Sequence, residues 1–163
     1  MRLDGKVAIV TASTRGIGLA CTQRLAREGA TVYMAARNME RAENRAKELN
    51  DEGCNVKTVY NDATEKETYI SMVEEVFKNE GRIDILVNNF GTSNPQKDLD
   101  IKNTEYDEYI RTVDINLASV FMTSQAAIPH MAANGGGSII NISSIGGLRP
   151  DISQIAYGTS KAA

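Results

Sequence analysis

The chain has few of the residues that mark special classes of protein. Its 163 residues include two cysteines, three prolines, no tryptophan and one histidine. Two thiols are too few for a disulfide scaffold, and one histidine leaves no cluster of metal ligands, so we expect a reduced, cytoplasmic protein without a metal. No apolar run approaches the ~18 residues of a membrane span. The net charge of −3 gives no reason to expect nucleic acid or an anionic membrane as a partner.

Short apolar runs alternate with amphipathic segments along the whole chain. The first run, KVAIVTA, is continuously apolar, which is typical of a strand buried on both faces of a parallel sheet. Helix starts are indicated by Asn38 as a cap and by Thr64 and Glu67 at capping-box spacing. The alternation predicts an α/β fold, a doubly wound parallel sheet of the Rossmann type, as one domain over residues 1–163. Predicted strands cover 6–12, 31–36, 56–60, 83–87 and 138–142.

A glycine-rich turn separates the first strand from the first helix. Glycines at this place let backbone approach a pyrophosphate, and the helix N-terminus offers unpaired N–H groups. A tight packing turn is the alternative for the glycines alone, but the strand–turn–helix context favours a dinucleotide. The predicted cofactor contacts here are Thr11, Ser13, Thr14, Arg15, Gly16, Ile17 and Gly18.

The end of the second strand bears on the choice of dinucleotide. A carboxylate there favours NAD, whereas a basic group suits the 2′-phosphate of NADP. This strand ends Ala35-Ala36-Arg37, without an acid, and Arg15 lies in the phosphate turn. Two guanidinium groups can bind a phosphate, so we predict NADP, with solvated surface arginines as the alternative.

Further predicted cofactor contacts follow the third and fourth strands. Asp62, next to Ala63, could accept a hydrogen bond from the adenine amino group, or it could be a helix-entry turn residue. Asn89 could brace neighbouring strands, and the small Gly91 would let a cofactor approach.

Ser144, Tyr157 and Lys161 form a candidate proton-transfer group. Tyr157 and Lys161 are one helical turn apart, which by itself also fits a solvent-facing pair. Ser144, however, follows a predicted strand at the edge where ligands bind in parallel sheets. Tyr157 could then exchange a proton with a substrate oxygen that Ser144 holds, while the Lys161 charge favours the phenolate. Asn116, inside a predicted helix, is either a buried amide or a water-holding residue.

Together these residues resemble the short-chain dehydrogenase/reductase family, and the resemblance covers the whole chain. The family's glycine motif resembles residues 11–18, its adenine-side aspartate matches Asp62, and its strand-end motif matches 88–91. Its catalytic residues fall on Asn116, Ser144, Tyr157 and Lys161. The resemblance also implies that Tyr157 and Lys161 contact the cofactor, that Asn116 holds a relay water, and that Ser144, Ile145, Gly146 and Tyr157 contact the substrate.

The resemblance sets expectations for substrate and length. Within the family the chain is similar to bacterial NADP-dependent 7α-hydroxysteroid dehydrogenases, which act on bile acids; a 3-oxoacyl-carrier-protein reductase and a non-catalytic nucleotide-binding fragment are the alternatives. Family members are usually longer, so we expect a truncated chain without the C-terminal part of the fold. The family usually has Gly at Ala12 and Ala at Phe90; Ala12 fits if its φ is negative, and Phe90 is expected to reshape the cofactor site.

The predicted helix over about 105–131 has apolar residues around most of its circumference. One side could pack on the sheet and another on a second subunit, so we predict a homo-oligomer, for which the resemblance implies a tetramer. Cover by a C-terminal segment is the alternative. The apolar set is Val113, Ile115, Leu117, Val120, Phe121, Met122, Ala126, Ala127 and Ile128.

Overall fold

The computed structural model describes residues 1–149 and 154–163. Five strands form one parallel sheet in the order β3-β2-β1-β4-β5. The strands are β1 (Val7–Thr11), β2 (Thr31–Ala36), β3 (Asn55–Tyr60), β4 (Ile85–Asn88) and β5 (Ser138–Asn141). The helices are α1 (Gly16–Arg27), α2 (Met39–Asp51), α3 (Glu67–Glu80), α4 (Tyr106–Ala133) and α5 (Ile155–Ala162). The predicted doubly wound fold is confirmed.

The order of the strands reverses beside β1. The chain passes from β1 to β2 and β3 on one side, then returns to place β4 and β5 on the other. All neighbouring pairs are parallel, for example Val10 with Met34 and with Val87. A crevice therefore opens at the carboxyl ends of β1 and β4, which is where ligands bind in open α/β sheets.

The two faces of the sheet are covered by separate apolar clusters. Ile9 and Leu86 point into one cluster, which includes Val73 of α3. Val10 and Val32 point into the other, which includes Leu49 of α2. Because strand side chains alternate between faces, both clusters draw on β1, and every residue of β1 is buried. This central strand is a rigid support for the turn that follows it.

Most apolar residues of α4 are not fully covered in this isolated chain. Of the nine apolar residues predicted to need cover, only Ala127 is buried, while Phe121 and Ile128 are exposed. The buried stripe of α4 is instead mostly polar over its first turns, because it faces strand ends and loops that offer hydrogen-bond partners. That stripe consists of Glu108, Thr112, Asn116, Ser119, Thr123, Ala127 and Met131.

One of the two predicted helix caps is wrong. Asn38 caps α2 as expected, since its side chain accepts from the backbone N–H of Arg41 at 2.8 Å. Thr64 does not cap α3, which begins at Glu67 after Lys66 and has no side-chain cap. The Thr64 hydroxyl instead donates to Asp62 Oδ1 at 2.9 Å, a local bond that competes with capping. Among the described residues, no helix is long and apolar enough to cross a membrane.

Candidate active site

The turn between β1 and α1 contains a strained alanine. Ala12 has a φ of 51°, so the condition of a negative φ is not met. The left-handed region costs an L-residue about 1–2 kcal/mol, which explains why glycine suits this position. The following Gly16 has a φ of 55°, and a Cβ placed on it would have no neighbour within 4 Å. The backbone at Gly16 is therefore open to a ligand.

The N-terminus of α1 can accept an anion. Arg15 precedes the helix with extended backbone, and neither a side-chain cap nor an acidic residue occupies the first turn. The unpaired N–H groups and the positive end of the helix dipole therefore remain available to a phosphate. This chemistry fits the pyrophosphate of a dinucleotide, with Thr14 and Ile17 on either side of the turn.

Close packing holds the phosphate turn on the sheet. A Cβ on Gly18 would lie 2.6 Å from both the Ala12 oxygen and Asn89 Nδ2, so only glycine fits there. Asn89 Nδ2 donates to the carbonyls of Thr11 (3.1 Å) and Ala12 (3.2 Å). The predicted brace by Asn89 is thus present in the structure. Ser13 is buried, and its hydroxyl donates to the Ala35 carbonyl at 3.5 Å.

The structure brings Arg37 and Asp62 together at the ends of β2 and β3. Arg37 is exposed, and its Nε lies 3.8 Å from Asp62 Oδ2. Asp62 Oδ1 accepts from the backbone N–H of Thr64 at 2.9 Å, so Asp62 does have the turn role considered as an alternative. Ala63 beside it is half-buried, and Arg15 is exposed on the phosphate turn.

Lys161 binds the chain just beyond the carboxyl ends of β4 and β5. Its Nζ donates to the carbonyls of Ile142 (2.9 Å) and Phe90 (3.3 Å), and it lies 5.9 Å from the centre of the Tyr157 ring. Burial lowers the pKa of the Lys161 ammonium. A Cβ on Gly91 would lie 2.7 Å from both Lys161 Cε and Nζ, so a side chain there would displace the amine. Gly91 thus makes room for Lys161.

Ser144 lies in the loop after β5, next to the same helix. Its Oγ accepts from the backbone N–H of Gly146 at 3.2 Å and starts a 3₁₀ turn over Ile145–Gly147. This loop packs closely on α5: a Cβ on Gly147 would lie 2.5 Å from the Lys161 carbonyl oxygen. Ile145 is exposed and Gly146 is half-buried, as residues open to a ligand would be.

The amide of Asn116 joins α4 to two other parts of the site. Its Oδ1 accepts from the backbone N–H of Thr92 at 2.9 Å, and its Nδ2 donates to the Thr92 carbonyl and to Ser160 Oγ, each at 2.9 Å. Asn116 is buried, so this set describes a structural link rather than a side chain open to solvent. Ser160 belongs to α5, and Asn116 therefore holds the loop after β4 against the helix of Tyr157.

Three residues that the sequence did not single out contribute to this arrangement. Thr92 and Ser160 bind Asn116, and Asp98 binds the start of α5. Asp98 lies in a loop without helical or strand periodicity, so no local pattern marks it. Thr92 follows Gly91 and Ser160 precedes Lys161, and this proximity to predicted site residues is the one sequence signal that could have identified them.

The comparisons with known proteins agree with this geometry. The family described as short chain dehydrogenase matches residues 6–163. The 7α-hydroxysteroid dehydrogenases of Clostridium sardiniense and Paraclostridium sordellii are 54% and 49% identical to this chain, each over 99% of it. The solved structure of gluconate 5-dehydrogenase from Burkholderia cenocepacia J2315, in complex with NADP and tartrate, has a TM-score of 0.90 and 35% identity over 99% of this chain.

The chain spans 62% and 60% of the lengths of those two relatives, and 62% of the solved chain. The matched region includes the phosphate turn, the reversal of strand order and the helix of Tyr157 and Lys161. The family match and the fold lead to the same conclusion: the chain belongs to the short-chain dehydrogenase family.

Proposed function

We propose that residues 1–163 form the dinucleotide-binding and catalytic domain of a cytoplasmic oxidoreductase that interconverts a secondary alcohol and a ketone with NADP(H). The position of Lys161 is the observation that carries this proposal. Its ammonium lies beside the Tyr157 ring and is held by two backbone carbonyls at the carboxyl edge of the sheet. That edge is where a nicotinamide and a substrate meet in folds of this type.

Tyr157 is the proposed proton carrier. In alcohol oxidation its phenolate would accept the hydroxyl proton of the substrate, and in ketone reduction its phenol would return that proton. The Lys161 charge favours the phenolate, and the Phe90 and Ile142 carbonyls favour the charged amine against the effect of burial. Ser144, in the loop against α5, is the proposed donor to the substrate oxygen.

The nucleotide residues are assigned by their place around the crevice. When bound, NADP accepts or supplies the hydride at its nicotinamide ring. The open N-terminus of α1 supports pyrophosphate binding, with Gly16 and Gly18 keeping the backbone close. The exposed Arg15 and Arg37 would bind the 2′-phosphate. Asp62 and Ala63 would contact the adenine. Asn89 and Gly91 would contact the cofactor where it passes the end of β4.

The proposed substrate is the 7α-hydroxyl of a bile acid. The 7α-hydroxysteroid dehydrogenases among the relatives support this choice, because two of them are 54% and 49% identical to this chain, whereas a 3-oxoacyl-carrier-protein reductase is 35% identical. Ile145, exposed in the loop after Ser144, and Gly146 would contact the steroid. A 3-oxoacyl-carrier-protein reductase, which would use the same residues to reduce the ketone of an acyl chain, is the alternative within the family.

The proposal includes a homotetramer. Tyr106, Ile110, Phe121 and Ile128 of α4 are exposed apolar side chains in the isolated chain. Such residues spread over one helix support contact with a second copy. Light scattering on the full-length protein tests this: a monomer at micromolar concentration contradicts it, and a mass four times that of the chain supports it.

Tyr157→Phe is the decisive test of the chemistry. Removing the hydroxyl should lower kcat by about 1,000-fold, because general acid–base catalysis contributes about 100- to 10,000-fold. NADPH affinity, measured by fluorescence titration, should stay within about threefold. Tyr106→Phe removes the same hydroxyl from an exposed position at the start of α4 and is the matched control. Unchanged turnover in Tyr157→Phe would remove Tyr157 from the mechanism.

Cofactor and substrate are tested in one absorbance assay at 340 nm. Full-length protein is mixed with chenodeoxycholate, or with its 7β epimer as the stereochemical control, and with NADP or NAD. Reduction of NADP with the 7α compound alone supports the whole proposal. Reduction of NAD instead contradicts the argument from Arg15 and Arg37, and reduction with neither steroid directs the search to 3-oxoacyl substrates.

The arginines can be tested separately from the substrate. Arg37→Ala should raise the KM for NADP about tenfold and leave the KM for NAD unchanged, because a hydrogen bond to a charged group contributes about 1.5–3 kcal/mol. Arg41→Ala, on the surface of α2, is the matched control. Equal effects of Arg37→Ala on both cofactors would show that Arg37 does not bind the 2′-phosphate.

A further inference from the structure

The helix that carries Tyr157 has no side-chain cap from its own sequence. α5 begins at Ile155, and the preceding Gln154 makes no capping hydrogen bond. The first N–H groups of a helix have no acceptor within the helix, and they need one elsewhere when they are buried. Here the partners come from a distant loop, residues 93–104, between β4 and α4.

Asp98 and Leu99 accept the first three N–H groups of α5. Ile155 N donates to the Leu99 carbonyl at 3.0 Å. Ala156 N donates to Asp98 Oδ1 at 2.8 Å, and Tyr157 N donates to Asp98 Oδ2 at 2.9 Å. Both oxygens of one carboxylate are thus used, and one of them binds the backbone of Tyr157 itself.

The Asp98 carboxylate is completely buried, which is unusual for a charged group. Asp98 has 0% of its surface exposed. A buried carboxylate destabilises the fold unless hydrogen bonds offset the loss of water. Two N–H groups and the positive end of the α5 dipole supply that compensation. A surface cap would hold a helix end equally well, so burial of the charge points to a requirement for fixed position.

The loop that presents Asp98 is itself well supported. Asp98 N donates to the Asn94 carbonyl at 2.7 Å, and Leu99 N donates to Thr104 Oγ1 at 2.8 Å. The Ser93 hydroxyl donates to Gln154 Oε1 at 2.7 Å, a second link between the loop and the start of α5. Asp98 therefore fixes the start of α5 relative to this loop.

We propose that Asp98 is a positioning residue for Tyr157, holding the start of α5 so that the Tyr157 ring keeps its place beside Lys161. The inference rests on the proposed oxidoreductase function, since it concerns the same Tyr157. The far end of α5 has its own links: Ser143 Oγ donates to the Lys161 carbonyl at 2.5 Å, and Asn116 binds Ser160. Without Asp98, α5 would keep Lys161 in place while its first turn, with Tyr157, moved.

The test compares Asp98→Asn and Asp98→Ala with Asp100→Ala. An amide keeps the size of the carboxyl group but offers one acceptor oxygen for two donors, so it should fold and retain one bond. Asp100 lies in the same loop and accepts from Lys102 N and Asn103 N, without touching α5. Asp100→Ala is therefore the matched control for general damage to the loop.

The expected result is a loss of kcat without a change in KM for NADP. A displacement of ~1 Å costs on the order of 100-fold, so Asp98→Ala should lower kcat about 100-fold and Asp98→Asn about tenfold. Asp100→Ala should retain wild-type kcat within about twofold, because it leaves α5 untouched. A change of stability alone would leave kcat intact at temperatures where each variant is folded.

Hydrogen exchange gives a readout that needs no turnover. The amides of Ala156 and Tyr157 should exchange faster in both Asp98 variants, while the Gly158 amide, which donates to the Gln154 carbonyl, reports general fraying of the helix. If Asp98→Ala does not fold, the kcat and the exchange rates of Asp98→Asn alone test the positioning role.

The outcomes separate the two proposals. If the wild type turns over substrate and both Asp98 variants fold and have kcat values within about twofold of the wild type, the positioning role is overturned. The proposed function is then unaffected. Absence of turnover in the wild type with every alcohol tested overturns the function, and the positioning role with it. Loss of kcat in the Asp98 variants, with faster exchange at Ala156 and Tyr157 and a normal Asp100 variant, supports both.

Discussion

The two halves of this sheet are stabilised by different chemistry: β1–β3, the proposed nucleotide side, and β4 and β5 with α4, the proposed catalytic side. On the nucleotide side, β1 is buried throughout and β2 is buried from its second residue onward. On the catalytic side, β5 is mostly exposed, and the first half of the buried stripe of α4 is polar. The core around β1 and β2 is therefore held mainly by apolar packing, whereas the contact of α4 with the ends of β4 and β5 relies on hydrogen bonds between buried side chains.

The difference has a consequence for robustness. Apolar contacts are non-directional and tolerate small shifts, whereas a buried hydrogen-bond network is costly when one partner is lost. Asn88 illustrates the network: its Oδ1 accepts from Thr123 at 2.7 Å, and its Nδ2 donates to Asn141 at 3.0 Å. We therefore expect substitutions on the catalytic side to disturb alignment, and those on the nucleotide side to act through steric fit.

Gly18→Val should have the largest effect and tests steric fit on the nucleotide side. The added atoms collide with the Ala12 carbonyl and Asn89, so the phosphate turn must open. Overpacking costs about 1–3 kcal/mol, and NADPH affinity, measured by fluorescence titration, should fall by up to about 100-fold. Ala20→Val places the same valine side chain on the exposed face of α1 and should bind NADPH normally. Normal binding by Gly18→Val would show that the turn adapts.

Asn116→Ala breaks the polar network on the catalytic side. The substitution leaves the Thr92 N–H and carbonyl without their partner, and it also removes a bond to Ser160. We expect a loss of about 3 kcal/mol in the free energy of unfolding, measured by urea denaturation, with NADPH affinity little changed. Gln125→Ala, on the exposed face of the same helix, should be neutral. A stability loss below about 1 kcal/mol would mean that water replaces the amide.

Asp84 lies at the amino ends of β1 and β4, away from the carboxyl ends where the candidate site lies. Asp84→Asn should therefore change stability without changing catalysis. Burial by itself raises the pKa of Asp84, but hydrogen bonds from Arg82, Val7 N and Lys6 outweigh it and hold the pKa at about 2. A carboxyl group with a lowered pKa stabilises the fold above its ordinary pKa, and it loses that contribution as the pH falls towards 2. The shift corresponds to about 2 kcal/mol at neutral pH.

The measurement for Asp84 is urea denaturation from pH 6 down to pH 2. The difference in stability between wild type and Asp84→Asn should shrink across the range below pH ~4. Asp107→Asn is the control, because it removes the same charge from an exposed position on the first turn of α4. A difference that stays constant with pH would assign the loss to packing instead of charge.

Ala12→Gly should have the smallest effect and the opposite sign. Glycine removes the strain of a positive φ, at the cost of greater freedom in the unfolded chain, so we expect a gain of about 0.5 kcal/mol. Ala20→Gly, within α1, should lose about 1 kcal/mol and provides the contrast. Thermal unfolding measures both. A loss of stability in Ala12→Gly would indicate that the Ala12 methyl group makes favourable contacts.

Sequence patterns predicted the nucleotide side better than the catalytic side. The strands, the phosphate turn and the Asn38 cap all follow from neighbouring residues, and the structure contains them. The Thr64 cap failed because a nearby aspartate offered a competing bond. The polar stripe of α4 was missed because the hydrophobic pattern shows which residues avoid water, and not which polar groups find partners.

The sequence by itself determined the succession of strands and helices along the chain, the glycine-rich turn between β1 and α1, and the residues that resemble a proton-transfer group. These depend on side-chain period and local steric rules, which are properties of adjacent residues. The tertiary structure alone decided that Ala12 has a positive φ, that Lys161 binds two carbonyls and that Asp98 holds the helix of Tyr157. Those contacts join residues far apart in the chain, so only the folded sheet brings them together.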